Sequence, residues 1–363
     1  MFRFGLRVIA GAWANWSRCI ALAEIRFRRA GPFGPAWAPP NRNGVRGVLV
    51  DVMRHSDIRL RAALIAFLVW IASAYPAAQP KPLFSFHSNA WLNLHHYVRV
   101  NARGAPGPGG LTPAQQKDWA EGVEFYEPYA ARDILRDDGM VAIASALRAS
   151  EGKDNLDGVA IDPTLKSTLE KLMPIYRTHG WAEHDRANRE WIAAIVPLVD
   201  RHGAAISQAL LRAYGATWPA EPMHVDLSVS AGPVGGFSVN NHITISSSDK
   251  SYRGYAGLEM VFHEASHALF ASVNQSMYRI ATEQKVTLPP QLWHAVLFYT
   301  VGELTTRELK TLGIDYSPYA NGAFYDNMCG AGCMVKIREH WTPHLDAKRS
   351  IPDALSGLVA AFK

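Results

Sequence analysis

The chain has 363 residues, enough for one large domain or two ordinary ones, and its 48% hydrophobic and 19% charged residues are typical of a globular protein. The formal net charge of +5 is unevenly distributed, because residues 1–74 carry 11 of the 37 Lys and Arg residues but only 3 of the 32 acidic residues. The remainder therefore carries 26 basic and 29 acidic residues, which does not support a basic groove for nucleic acid.

The excess positive charge lies at and before a segment that resembles an export signal. A basic stretch begins at residue 53, an apolar run covers 62–74, and small residues follow up to residue 78. This order predicts a signal peptide over residues 53–78. The apolar run is shorter than the roughly 20 residues of a membrane span. We therefore expect a periplasmic or secreted protein without a stable membrane span after signal cleavage, the alternatives being an uncleaved anchor or a buried core helix.

Residues 1–52 are rich in Arg, Trp, Gly and Pro and have weak periodicity. Because a signal peptide normally begins at the N-terminus, we interpret this doubtful leader as a start-site artefact, with translation beginning at Met53. A genuine disordered extension is the alternative.

The cysteine content is low, and one of the three cysteines, Cys19, lies in the leader. Cys329 and Cys333 remain, close enough in sequence to form a small disulfide loop in an oxidising compartment. Two free buried thiols are the alternative, and a two-cysteine metal site is less expected because no second pair completes it.

The order of the predicted elements indicates a helical N-terminal part over residues 79–220, followed by a mixed part over 221–363. Helical spacing predicts helices over 84–100, from 112 onward, and over 138–149, 163–177 and 182–214. Alternation predicts strands over 225–229 and 237–246. Downstream we expect helices over 254–280 and 291–312, a loop over 316–332 rich in Tyr and Gly, and two shorter helices, the last over 352–362. The expected fold class is α+β, mainly helical, with a small sheet beside the site.

The clearest chemical signal is the sequence His263-Glu264-Ala265-Ser266-His267. Histidines at i and i+4 lie on one helical face, so both imidazoles can reach one metal ion. Glu264 flanks that face, where it can accept a proton from water. The motif also arises by chance in a few per cent of chains. A surface helix with two unrelated histidines is therefore the alternative, although the apolar neighbours Phe262 and Leu269 argue against free exposure.

The motif, on a helix that follows a strand, resembles the zincin metallopeptidases over residues 225–312. This resemblance implies one Zn²⁺ per chain, a peptide or protein substrate, and an edge strand that binds the substrate backbone. We expect His242–Ser246 to be that strand. The metzincin pattern fails because no Gly and third His closely follow His267. The resemblance therefore favours the gluzincin pattern, in which a Glu from a second helix is the third ligand.

Three glutamates are candidates for this third ligand: Glu283, Glu303 and Glu308. Glu303 lies inside an otherwise apolar helix, where a carboxylate is costly unless it is paired or bound to a cation. We therefore predict Glu303 as the ligand, with a salt bridge to an Arg as the alternative. His294 precedes Glu303 by nine residues, about half a turn out of phase, so we expect it to face away.

The resemblance also implies a Tyr or His that stabilises the oxyanion. We choose Tyr319 from the downstream candidates Tyr316, Tyr319, Tyr325, His340 and His344. Glu259, one turn before His263, is expected either to orient that imidazole or to be solvated. The adjacent pair His95 and His96 point about 100° apart on a helix, so we expect partial burial and no shared ion.

Together these patterns predict an exported zinc metallohydrolase, a peptidase with His263, His267 and Glu303 as metal ligands, Glu264 as the general base and Tyr319 as the oxyanion donor. One alternative is a non-catalytic zincin-like domain that binds zinc or a partner without turnover. Another is a structural periplasmic protein with a fortuitous motif.

Overall fold

Several helices begin at capping residues that the sequence displays. The computed structural model describes residues 81–231, 235–239 and 242–363. Asn89 accepts hydrogen bonds from two backbone N–H groups of the first helix, and Thr112 forms a capping box with Gln115. Ser350 caps the last helix. The predictions for the leader and the signal peptide concern residues outside the described part.

The described residues form an α+β fold that is mainly helical, which confirms the predicted class. The strands are β1 Phe84–His87, β2 Met223–Ser228, β3 Gly236–Val239 and β4 His242–Ser246. The N-terminal helices are α1 Ala90–Asn101, α2 Pro113–Phe125, α3 Glu127–Ala131, α4 Asp138–Arg148 and α5 Pro163–Tyr176. A π-helical segment, Arg177–Trp181, leads into α6 Ala182–Tyr214. The remaining helices are α7 Gly254–Leu269, α8 Ala271–Gln284, α9 Leu292–Thr311, α10 Gly322–Cys329, α11 Cys333–Leu345 and α12 Ile351–Ala360.

The strands form one mixed sheet in the order β1-β2-β4-β3. β1 and β4 each pair with β2 in parallel, whereas β3 pairs with β4 antiparallel and lies at the edge. Alternate residues of β2 and β4, such as Val225, Leu227, Ile243 and Ile245, are buried in the same core as α7. The intervening residues therefore lie on the opposite face of the sheet.

Two main clusters of buried side chains fill the described part. One contains residues of α1, α2, α4 and α5, from Trp91 to Tyr176. The other surrounds the sheet and includes Trp191 and Ile195 of α6 together with α7, α8, α9, α11 and α12. The change from one core to the other falls between Tyr176 and Trp191, inside the predicted N-terminal part, so α6 packs with the metal-motif helix.

Several predicted boundaries differ from the observed ones. Residues 84–87 form β1 rather than the start of a helix, and the predicted strand over 237–246 is the hairpin of β3 and β4. The predicted helix over 254–280 ends at Leu269 and restarts as α8, and the predicted loop over 316–332 contains α10. Cys329 and Cys333 form a disulfide between α10 and α11, with their Cα atoms 5.7 Å apart. No helix within the described ranges is both long and apolar enough to cross a membrane.

A buried asparagine joins α1 to the sheet and to α6. Asn93 Nδ2 donates to the carbonyl oxygen of Leu227 at 2.8 Å, and its Oδ1 accepts from Val229 N and from Asn188 Nδ2, both at 3.2 Å. Ser247 donates to Asn188 Oδ1 at 2.6 Å. These bonds satisfy backbone groups at the end of β2 that the sheet leaves unpaired.

We expect Asn93→Leu, which preserves the approximate shape, to lower the free energy of unfolding by about 2–4 kcal/mol, because it leaves the Leu227 carbonyl and the Val229 N–H buried without partners. Urea unfolding followed by circular dichroism measures the change. Asn327→Leu, at an exposed position of α10, is the matched control and should stay within about 0.5 kcal/mol of the wild type. Equal effects of the two substitutions would contradict this role for Asn93.

Candidate metal centre

Three histidines from two helices converge on one point. His263 and His267 lie one turn apart on α7, and His294 lies in the first turn of α9. Their ligand atoms all lie within 4.8 Å of one another, and His263 Nε2 is 3.1 Å from His294 Nε2. We call His263, His267 and His294 the three-histidine group.

The antiparallel packing of α7 against α9 produces this convergence. A Cβ atom at Gly302 would lie 3.2 Å from Glu259 Oε1, so these two residues face each other. One turn further along α7, the ring of His263 stacks on that of Phe298 at 3.7 Å. One more turn brings His267 to His294, with ring centroids 5.0 Å apart. Each turn forward on α7 therefore corresponds to one turn backward on α9.

The aromatic surroundings of the group keep its imidazoles neutral. Trp293 stacks on His294, with ring centroids 4.9 Å apart, and meets His267 edge-on. Burial lowers the pKa of His267 to about 4 and, with a smaller contribution from His267, lowers that of His294 to about 3. Burial also holds the pKa of His263 well below its usual value. Three neutral imidazoles are a ligand set that zinc accepts, with Zn–N distances of about 2.0–2.1 Å, so the residues present fit the ion.

Glu303 does not join these histidines, which corrects the predicted third ligand. Its carboxylate pairs with Arg307 one turn later at 2.8 Å, and its side chain is 30% exposed. Two groups of metal-ligating side chains converge among the described residues, and Glu303 belongs to neither. The physical reason is position, because Glu303 lies nine residues from His294, about 13 Å along the axis and half a turn round α9. His294 and Glu303 are half a turn apart on the helix, as the sequence predicts. However, it is His294 and not Glu303 that faces the histidines of α7.

The other two glutamate candidates also have partners away from the group. Glu283 pairs with Arg279 at 2.6 Å, and Glu308 lies 3.3 Å from His202 Nδ1. Two sequence features of His294 are compatible with a ligand role: its residue type and its position soon after Pro289-Pro290, the break that precedes α9. Neither feature identifies it as a ligand. Its identification needs the pairing of the two helices.

Glu264 is buried beside the histidines and against the edge strand. Its Oε2 lies 3.8 Å from His267 Nε2 and has no hydrogen-bond partner among the described residues. Burial raises the pKa of Glu264 to about 8, and the Ser238 hydroxyl partly offsets the rise. A Cβ atom at Gly236 of β3 would lie 3.3 Å from Glu264 Oε1. The absence of a side chain there lets the strand approach the carboxylate.

The edge strand beside the site is therefore β3 and not the predicted segment His242–Ser246, which forms the interior strand β4. A cavity of about 140 Å³ lies between these strands and α7. It is lined by Met223, Ser238, Val239, Ile243, Glu264, Ala265, His267 and Ala268. The lining thus combines apolar side chains with the polar residues Ser238, Glu264 and His267. A further cavity of about 640 Å³, between α6, α9 and α11, shares no lining residue with it.

Tyr319 lies near the group through Phe298, whose ring is 6.4 Å from its own. Its ring also meets that of Tyr252 edge-on, with ring centroids 5.5 Å apart. Tyr252 adjoins Glu264, because both lie within 3.4 Å of the Cβ position of Gly236. Burial raises the pKa of the Tyr252 phenol, so it keeps its proton at neutral pH. Tyr252, which lies two residues before the start of α7, is a site residue that no sequence signal marked.

Glu259 accepts hydrogen bonds from the loop after α9 and does not orient the imidazole of His263. Its Oε2 accepts from Tyr316 Oη at 2.6 Å and from Tyr319 N at 3.1 Å. His263 Nδ1 has no hydrogen-bond partner among the described residues. The stack on Phe298 therefore fixes the His263 ring, whereas Glu259 places Tyr319.

His95 and His96 are fully buried, and they form hydrogen bonds with Tyr126 and with the carbonyl oxygen of Ser230, respectively.

Comparison with known proteins gives no relative from which a role for these residues can be taken. No protein-family model, no curated protein and no solved structure matches the chain. The function must therefore be argued from the site itself.

We expect His294→Ala to weaken zinc binding by more than the roughly 10–100-fold that loss of an outer hydrogen-bond partner costs, because it removes a direct ligand. Glu303→Ala is the matched control on the same helix and should leave the affinity within about twofold of the wild type. Competition with a chromophoric chelator measures both affinities. A loss of zinc in Glu303→Ala with retention in His294→Ala would restore Glu303 as the ligand.

Burial raises the pKa of Glu259 to about 7, although the bonds from Tyr316 and Tyr319 lower it. The folded state therefore holds this proton more tightly than the unfolded state. The resulting stability is fully present below pH about 4.5 and is lost as the pH rises to about 7. Relative to Glu259→Gln, the wild type should lose up to about 3 kcal/mol across this window.

Urea unfolding of both proteins between pH 4 and 8 measures this difference. Glu283→Gln, which removes an exposed carboxylate, should give a stability curve parallel to that of the wild type. Parallel curves for wild type and Glu259→Gln would show that the folded and unfolded states bind the Glu259 proton equally.

Proposed function

We propose that the chain is a zinc-dependent hydrolase that cleaves peptide bonds. The observation that carries the proposal is the convergence of His263, His267 and His294 beside the buried carboxylate of Glu264. Three protein ligands and an adjacent acid are the composition of a catalytic zinc site, which keeps further coordination positions for water and substrate. A structural zinc site has four protein ligands and needs no such acid.

Glu264 acts as the general base in this proposal. A zinc ion held by the three imidazoles would supply a Lewis acid next to the carboxylate, and its positive charge would favour the ionised form of Glu264 that burial alone disfavours. Glu264 Oε2, which lacks a hydrogen-bond partner among the described residues, accepts a proton from the attacking water. It then donates that proton to the nitrogen of the leaving amine. Burial keeps bulk water from competing for the carboxylate during this transfer.

The phenols of Tyr319 and Tyr252 are the donors proposed for the oxyanion. Their rings meet edge-on, and Tyr252 lies where Glu264 meets β3. A protonated phenol can donate to the oxygen that becomes negative during acyl transfer. Glu259 acts as a positioning residue, since it binds the backbone N–H of Tyr319.

The geometry of β3 favours a peptide substrate. An edge strand offers unpaired backbone donors and acceptors, and an extended peptide can add to it as a further strand. β3 runs beside Glu264, so a peptide paired with it passes close to the general base. The cavity of about 140 Å³ next to Glu264 can hold one side chain of that peptide.

The ligand set distinguishes this proposal from the gluzincin pattern. Three imidazoles leave the full charge of the ion uncompensated, whereas a carboxylate ligand would neutralise part of it. The spacing also differs from the metzincin pattern, because the third histidine comes from a second helix, 27 residues after His267. We therefore keep the likeness to zincins at the level of the motif, and export from the cytoplasm remains a prediction from residues 53–78.

Glu264→Gln should reduce hydrolysis of a fluorogenic peptide library by about 10²–10⁴-fold, because the amide cannot accept the proton. Zinc content should remain at the wild-type value, since Glu264 is not a ligand. Tyr319→Phe should lower the rate constant kcat more than it changes KM. Elemental analysis and steady-state kinetics on the same preparations measure these effects.

Glu303→Gln is the control, since it removes a carboxylate of similar sequence context outside the group. Zinc in the wild type without hydrolysis of any peptide pool would favour the non-catalytic zinc-binding alternative. Equal activity in wild type and Glu264→Gln would exclude the carboxylate as the base.

A further inference from the structure

A second set of metal-ligating side chains lies on the other face of the sheet. His224 and Asp226 belong to β2, and His242 begins β4. Their ligand atoms lie within 4.8 Å of one another. Their strand neighbours Val225 and Ile243 point into the core with α7, so this trio faces away from the three-histidine group. We call His224, Asp226 and His242 the strand cluster.

The pairing of the strands creates the cluster. β2 and β4 are parallel, with His224 directly opposite His242. Asp226 follows His224 by two residues and therefore shares its face. His242 Nε2 lies 2.5 Å from Asp226 Oδ2, and His224 Nε2 lies 3.2 Å from the same oxygen. Two imidazoles and one carboxylate thus approach from two adjacent strands of the sheet.

Two ligand atoms of the strand cluster are buried without hydrogen bonds. Asp226 is completely buried, and its Oδ1 has no partner among the described residues. His224 Nε2 is also buried, and its approach to Asp226 does not have hydrogen-bond geometry. Such atoms cost free energy unless something satisfies them. A cation between the three side chains would satisfy the His224 nitrogen and, where the carboxylate binds through both of its oxygens, Asp226 Oδ1 as well.

We propose that the strand cluster is a second metal site, which binds one first-row divalent transition ion of the zinc class. Two histidines and one carboxylate are ligands for such ions. Ligand atoms about 2.1 Å from one ion lie roughly 3.0–3.4 Å apart in octahedral or tetrahedral geometry. The separation of 3.2 Å fits that range, and the shorter one must widen by less than about 1 Å.

The ion's role follows from the position of the cluster. It would join β2 to β4 directly behind Met223 and Ile243, which line the cavity of the candidate metal centre. β4 in turn carries β3, the strand beside Glu264. The second ion is therefore structural, and it holds the strands on which the substrate edge is built. This inference does not depend on the chain being a peptidase.

The neighbours of the cluster define the competing explanation. Arg148 interacts electrostatically with Asp226 and His242, and His87 stacks on His224 with ring centroids 3.8 Å apart. His87 is itself bonded to Glu151 at 2.6 Å. Without an ion, Asp226 would be balanced by Arg148 and by the single hydrogen bond from His242. The experiment must separate that arrangement from a metal site.

The test is the metal stoichiometry of the full chain after chelation and reloading with Zn²⁺ and, separately, Co²⁺. The wild type should bind two equivalents. The double variant His263→Ala/His267→Ala should bind one, and so should Asp226→Asn and His224→Gln. His87→Gln is the matched control, since it contacts His224 but contributes no ligand, and it should bind two. Circular dichroism checks that each variant is folded.

Each outcome has a separate meaning. A single equivalent lost only in His263→Ala/His267→Ala would overturn the second site and leave the proposed hydrolase intact. A single equivalent lost only in Asp226→Asn and His224→Gln would support the second site and contradict the first. Should the strand-cluster variants not fold, the double variant His263→Ala/His267→Ala still decides, because the absence of Co²⁺ binding to it overturns the proposal. Saturation of the wild type at two equivalents, with different visible spectra for each step, supports it.

Discussion

The packing of α7 against α9 is the contact on which the candidate site depends. Three pairs of facing residues lie along these antiparallel helices: Glu259 with Gly302, His263 with Phe298, and His267 with His294. The helices can approach closely at the first level because Gly302 has no side chain, and a Cβ atom there would also lie 2.9 Å from Pro318. A shift of one turn between the helices would move His294 by about 5.4 Å along the axis, so the three histidines would no longer converge.

The sheet links the two clusters of potential ligands. Alternate residues of β2 and β4 face opposite ways, so Met223 and Ile243 line the cavity while His224 and His242 form the strand cluster behind them. A change in strand register would disturb both faces at once, since a slip of one residue turns every side chain to the other face. The geometry of the candidate site therefore depends on the same strand register as the polar face of the sheet, although that face lies outside the site.

Much of the fold could be read from local signals. The bounds of α6 follow the apolar periodicity, and the start of α2 follows from Thr112 and Pro113. The residues of the hairpin β3–β4 form a continuous apolar and polar pattern, so the sequence alone suggests a single strand. Which strand is the edge depends on the pairing order β1-β2-β4-β3, and this is a property of the whole sheet. His263, Glu264 and His267 could be chosen from spacing, whereas His294 depends on a contact between distant segments.

Glu303 shows that an apolar sequence context alone does not identify a metal ligand. A carboxylate in an apolar helix does need a partner, and Glu303 has one in Arg307, at a position where both side chains remain partly exposed. Glu259, on the facing helix α7, is fully buried, and its partners are a phenol and a backbone N–H from the loop after α9. The principle holds at both positions, but only the packing determines which carboxylate is buried. Among the described residues the buried acids are Asp226, Glu259 and Glu264. Each lies beside aromatic or imidazole groups, and these neighbours are a better guide to chemistry than the apolar character of the local sequence.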